Sequence, residues 1–164
     1  MPTYEERIEI DLPVRAVYDQ WTQFEEFPSF MEGIEEVRQV DDVYTEWVAE
    51  VDGQRLRWVA RITEQHPDRL IAWASTEGDL KIGGAVSFEP LADDRTAMTL
   101  RVDLESDDAS PLAADALGVV ERRVGGDLER FKSFIESRRE ASGGWRGEIP
   151  PDKRLDPPNE AKSA

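Results

Sequence analysis

From Ile34 to Ser106 apolar residues return at alternate positions, and this two-residue period constrains the chain more tightly than any other feature it carries. Successive side chains of a strand point to opposite faces, so such a repeat marks a strand with one side buried. Leu56, Trp58, Ala60 and Ile62 form one such face, and Met98, Leu100, Val102 and Leu104 form another. Trp47, Ala49 and Val51, then Ile71, Trp73 and Ser75, then Val86 and Phe88 supply further faces. Turn-forming residues stand between them at Asp41-Asp42, Asp52-Gly53, Pro67-Asp68, Glu77-Gly78 and Ala92-Asp93-Asp94. Connections this short cannot join parallel neighbours, which need a crossover of roughly a dozen residues, so six successive strands predict an antiparallel meander.

The flanks complete the pattern. Tyr4, Glu6, Ile8 and Ile10 alternate with Glu5, Arg7 and Glu9, which predicts a strand ahead of the meander. Asp11-Leu12-Pro13 then opens a short helix, Pro being suited to a first helical turn, with Val14, Val17, Tyr18 and Trp21 at helical spacing. A second short helical piece carries Phe24, Phe27, Phe30 and Met31, is interrupted by Pro28 and closes at Gly33. At the other end Pro111 opens a long amphipathic helix whose stripe, Leu117, Val120, Val124, Leu128, Phe131 and Ile135, runs to about Arg139. The stripe needs a partner, and the sheet offers the large apolar surface. The expected fold is therefore α+β: a seven-stranded antiparallel sheet curved around a long C-terminal helix, with two short helices after the first strand. Residues 1–141 form this domain, and 142–164, rich in Pro, Gly and charge, are expected to be a flexible tail, disordered from Pro150.

Charge and composition narrow the partners. Twenty Lys and Arg against thirty-six Asp and Glu leave a net charge of −16, which repels phosphate backbones and anionic bilayers, so nucleic acid is not an expected partner despite Arg122 and Arg123. The chain has no cysteine, which removes thiol nucleophiles, disulfides and thiolate metal sites. Its start lacks the basic and apolar regions of a signal peptide, and no stretch has the length of a membrane span, so a cytoplasmic protein without stable membrane insertion is expected. No acidic cluster has a calcium-loop spacing, and neither a metal nor a cofactor is expected.

Three runs carry a family resemblance: P-V-R-A-V-Y-D-Q-W-T-Q-F-E-E-F-P-S-F-M-E-G-I-E-E-V from Pro13 to Val37, I-T-E-Q-H-P-D-R-L-I-A-W from Ile62 to Trp73, and D-A-L-G-V-V-E-R-R-V-G-G-D-L-E-R-F-K from Asp115 to Lys132. They resemble the polyketide cyclase/dehydrase group of the START-like (SRPBCC) superfamily over about residues 3 to 140. The resemblance implies the helix-grip fold and a cavity holding a hydrophobic molecule such as a lipid, a quinone or an aromatic polyketide. It identifies no catalytic residue, because the Arg and hydroxyl positions of the aromatase/cyclase relatives have no residue-by-residue match here.

Inward-facing residues are the candidate ligand-binding wall: Trp21, Phe27, Met31, Trp47, Trp58, Trp73, Phe88 and Met98 on the early helices and the sheet, with Val124 and Leu128 from the long helix. Buried indole N–H groups need acceptors, which makes Ser75 and Tyr4 candidate polar points in that wall. Glu6 and Arg38 are rim candidates against a solvated-surface alternative. His66, the only histidine, is expected in a solvated turn, and Gly83-Gly84 in a bulge or turn. The expected function is binding of a small hydrophobic or aromatic molecule. A cyclase/dehydratase acting on a polyketide-like chain and a protein-interaction module are the alternatives.

Overall fold

The computed structural model describes residues 3–51, 53–104 and 111–150, excluding the side chains of 51, 104, 111–122 and 124. In chain order the elements are β1 (Thr3–Ile10), α1 (Val14–Trp21), a 3-10 helix (Phe24–Ser29), β2 (Ile34–Gln39), β3 (Tyr44–Val51), β4 (Gln54–His66), β5 (Leu70–Gly78), β6 (Ile82–Ala92), β7 (Arg95–Leu104) and α2 (Pro111–Arg138). The seven strands form one antiparallel sheet in the order β1-β7-β6-β5-β4-β3-β2. Only the first strand leaves the meander order, because α1 and the 3-10 helix carry the chain across to the far edge. The sheet curls into a half-barrel around α2, the helix-grip arrangement expected from the alternating pattern.

Register shifts place the curl. The β4–β5 ladder has two, between Val59 and Ala60 with the extra residue on β5, and between Ile62 and Glu64 with the extra residue on β4. A bulge bends its strand and changes which residues face the core. Leu56, Trp58, Ala60 and Ile62 are buried at even positions, and after the second shift Gln65, 1% exposed, takes the inward place.

Two apolar clusters fill the concave side. The larger joins Ile8, Ile10, Val17, Tyr18, Trp21, Phe27, Ile71, Val86, Phe88 and Met98 to Leu128, Phe131 and Ile135 of α2. The smaller holds Ala49, Leu56, Trp58, Ala60 and Leu80, and the half-buried Ile34, Trp47, Trp73 and Ile82 pack against both. Leu128, Phe131 and Ile135 thus occupy the positions expected of the stripe. The side chains of Leu117, Val120 and Val124 lie outside the described residues.

Polar contacts pin α2 to the turn before β2. Arg123 donates to the carbonyls of Glu32 (3.1 Å) and Glu50 (3.2 Å), and Arg130 donates to the carbonyl of Phe30 (2.9 Å). Glu32 N–H donates to Asp127 at 3.0 Å, and burial pushes that carboxyl's pKa up against this bond and the Arg130 charge. Gly33 sits in this clamp with φ +85°, and a Cβ there would lie 1.6 Å from the Arg123 guanidinium. Arg123 is therefore a clamp between helix and sheet.

Residues 142–150 lie along α1 and the end of β4 as a strap. Gln20 exchanges two hydrogen bonds with Ser142, Trp145 N–H donates to Thr22 Oγ1, and Ile149 pairs with Gln65 as an isolated antiparallel bridge. Arg146 donates to Asp19 (2.5 Å) and Asp68 (2.7 Å), with its guanidinium 5.5 Å from the centroid of the Tyr18 ring. The strap orders because each polar anchor meets a partner that would otherwise be stranded under it. The remainder of the expected tail, 151–164, lies outside the described residues.

Two further expectations change. His66 ends β4 with a side chain only 20% exposed, held between Glu64 and Glu148 at 2.7 Å each, because the strap covers what would otherwise be an open turn. Gly83 and Gly84 are ordinary ladder positions of β6, paired to Ala74 and Trp73 on one side and to Asp103 and Val102 on the other, with no bulge.

Candidate functional site

Under the curl of the sheet lies a small apolar void of about 20 Å³, lined by Trp21, Phe24, Phe27, Thr45, Trp47, Ile62, Ile71 and Trp73. Trp21, Phe27, Trp47 and Trp73, all expected in the wall, are brought together here by α1, the 3-10 helix, β3 and β5. Their rings are interlocked: Trp21 meets Phe27 at 5.0 Å and the α2 residue Phe131 edge-on at 5.0 Å, and Phe27 meets Trp47 at 5.7 Å. Trp47 continues into the smaller cluster by stacking on Trp58, centroids 5.7 Å apart and planes 10° apart.

The other candidates are distributed differently. Phe88 packs edge-on against Tyr18 at 5.3 Å, and Met98 and Leu128 are buried in the main cluster, so these three build core away from the void. Met31 is half-buried against the same cluster. Arg38 faces outward, 63% exposed and paired with Glu46, and Glu6 is a half-buried β1 residue opposite Leu100.

Thr45 was not among the candidates, yet it is the wall's polar point. It is 4% exposed and accepts a hydrogen bond from Trp47 Nε1 at 2.7 Å. The signal available in the sequence was its position two residues before Trp47, on the same strand face. Ser75 has a different role: its Oγ accepts the backbone N–H of Ile82 at 3.0 Å, across the open end of the β5–β6 hairpin. An open groove of about 500 Å³ lies at that hairpin, bordered by Trp73, Ser75, Leu80, Ile82, Gly84 and their neighbours.

None of the eight residues around the void is ionisable, and its one hydroxyl is engaged by Trp47. The nearest buried phenol, Tyr18, receives a hydrogen bond from Gln65 at 2.9 Å; burial pushes its pKa up, opposed by that bond and by Arg146. The lining is thus aromatic and aliphatic apart from that hydroxyl. Among the described residues no group of three or more His, Cys, Asp or Glu side chains converges to hold a metal ion, and no helix is long and apolar enough to cross a membrane.

A half-barrel gripping a helix, with an aromatic-lined interior between them, defines the START-like helix-grip class. The chain belongs to the family described as "Polyketide cyclase / dehydrase and lipid transport", which it matches over residues 10–133. It is 46% identical over 149 residues to the "Uncharacterized 17.2 kDa protein in melC2-rnhH intergenic region" of Streptomyces lincolnensis, covering 91% of this chain and 99% of that one. Among solved structures, the Zhui aromatase/cyclase from Streptomyces sp. R1128 superposes with a TM-score of 0.72 at 21% identity, covering 88% of this chain and 99% of that one. A START superfamily protein from Mycobacterium smegmatis gives 0.66 at 15% identity, covering 83% and 98%. Likeness at this identity carries the fold.

Proposed function

We propose that this protein binds a small, uncharged hydrophobic or aromatic molecule between the sheet and α2, with Trp21, Phe27, Trp47 and Trp73 as the central wall. The observation that carries this reading is the wall's chemistry: aromatic and aliphatic throughout, with its single hydroxyl already satisfied. Burying apolar ligand surface there yields about 25 cal/mol per Å², whereas a charged ligand would find no partner to offset its lost hydration.

The void of about 20 Å³ has room for roughly one water. Ligand pockets occupy about 300 Å³ or more. Occupation therefore requires side chains of the wall to move apart. Binding by displacement of a collapsed aromatic wall is the expected mode.

The test is organic extraction of protein purified directly from cells, with mass analysis of what is released, followed by titration of the emptied protein with the neutral fluorophore N-phenyl-1-naphthylamine. A bound lipid, quinone or aromatic compound and saturable 1:1 dye binding support the reading. An empty protein that does not bind the dye overturns it, and time-dependent conversion of a poly-β-ketone would replace it with the cyclase/dehydratase alternative.

A further inference from the structure

The β5–β6 hairpin does not close at its end. The ladder between the two strands runs from Leu70 and Ser87 to Ala74 and Gly83 and stops there. β5 continues to Gly78 by pairing with β4, opposite Trp58, while β6 starts at Ile82 by pairing with β7, opposite Leu104. The tip is tied to the β4 side: Asp79 N–H donates to the Arg57 carbonyl at 2.8 Å, and Arg57 N–H donates to the Asp79 carboxylate at 2.9 Å. Each strand thus follows its outer neighbour and the two part from one another. The groove of about 500 Å³ occupies the gap.

Trp73 borders both this groove and the void. Its ring lies over Gly84, where a Cβ would come within 3.0 Å of Trp73 Cζ2. A Cβ there would also lie 2.3 Å from the Arg101 carbonyl oxygen, so glycine gives room both to the neighbouring strand and to the indole. Leu80, on the groove's rim, belongs to the smaller core cluster, and Ile82 packs against it.

We propose that the parted end of the β5–β6 hairpin is a side entrance to the interior, and that the Trp73 indole is the partition which swings over Gly84 to join groove and void. This rests on the hydrophobic-ligand reading above and adds the route. The Ser75–Ile82 hydrogen bond, a side chain standing in for a ladder bond, spans the opening and is a bond that widening breaks. Ser75 Oγ accepts in that bond and keeps its own hydrogen to donate, which suits a flat, uncharged molecule bearing one carbonyl or ether oxygen. The net charge of −16 works against anionic ligands at the same mouth.

The cysteine-free chain allows a reversible test. The double variant Ser75→Cys, Ile82→Cys, oxidised, should bridge the opening, and stopped-flow mixing with N-phenyl-1-naphthylamine should show association and release slowed about tenfold or more. Reduction should reverse the slowing, so the reduced form of the same variant is the reference both for folding and for the altered side chains. Trp73→Phe, with a smaller partition, should speed both rates in the chain without cysteines. Equal rates in the oxidised and reduced forms, with binding intact in both, overturn the entrance alone. Absence of saturable binding in the parent overturns the ligand reading itself.

Discussion

Trp47 and Trp58 stand directly opposite one another on β3 and β4, and their indoles stack with centroids 5.7 Å apart and planes within 10°. The pair couples the two core clusters, since Trp58 belongs to the smaller and Trp47 packs against both. Trp58→Ala is expected to lower unfolding free energy by about 3 to 5 kcal/mol, the usual cost of removing a large buried aromatic. Denaturant melts measure the loss. A parent-like midpoint would mean that the stack contributes nothing to the core.

Thr45→Val removes the acceptor for the Trp47 indole N–H while keeping the volume. A buried donor left without a partner costs about 1 to 3 kcal/mol, and Thr45→Ser, which keeps the oxygen, should recover most of it. Equal stability of the Val and Ser variants would show that the hydroxyl is not what holds Trp47.

His66 links strap docking to pH. Hydrogen bonds to Glu148 and then Glu64 raise its pKa above the ordinary 6.5, so the folded state holds the proton more tightly than the unfolded chain. The stabilisation is complete below 6.5 and is lost as pH rises through the raised folded value. A neutral imidazole has one N–H and can donate to only one of the two carboxylates. Thermal melts across this interval should show parent stability falling relative to His66→Asn, which has no such proton to lose. A constant difference would refute the linkage.

The strap should contribute to stability although its composition suggests a tail. Arg146→Ala leaves the partly buried Asp19 and Asp68 without their shared donor and is expected to cost about 1.5 to 3 kcal/mol, the range for hydrogen bonds to charged groups. A chain ending at Gly144 should lose at least as much, whereas one ending at Pro150 should melt like the parent. Equal melting of the two truncations would show that residues 145–150 add nothing.

Gly33 and Arg123 should be coupled. Gly33→Ala both strains a backbone at φ +85° and evicts the guanidinium, so its cost should shrink when Arg123 is already Ala. A double-mutant cycle is expected to give an interaction energy of about 0.5 to 3 kcal/mol. Additive effects would place the whole cost in the backbone.

The alternation of Leu56 through Ile62 and the spacing of Leu128, Phe131 and Ile135 are local periodicities, and they determined the strands, the closing helix and their buried faces without reference to anything distant in the chain. The aromatic wall was legible for the same reason: Trp21, Phe27, Trp47 and Trp73 each lie on a face that their own neighbours define. What the tertiary structure decided are pairings between residues far apart in sequence. His66 meets Glu148 across 82 positions, Gln20 meets Ser142 across 122, and Arg123 reaches Glu32 across 91. No period encodes such meetings, because a polar side chain in a loop looks the same in sequence whether it is solvated or finds a partner. The parted β5–β6 hairpin belongs with them: each strand is a good strand by its own pattern, and their ends continue in pairing with β4 and β7 respectively.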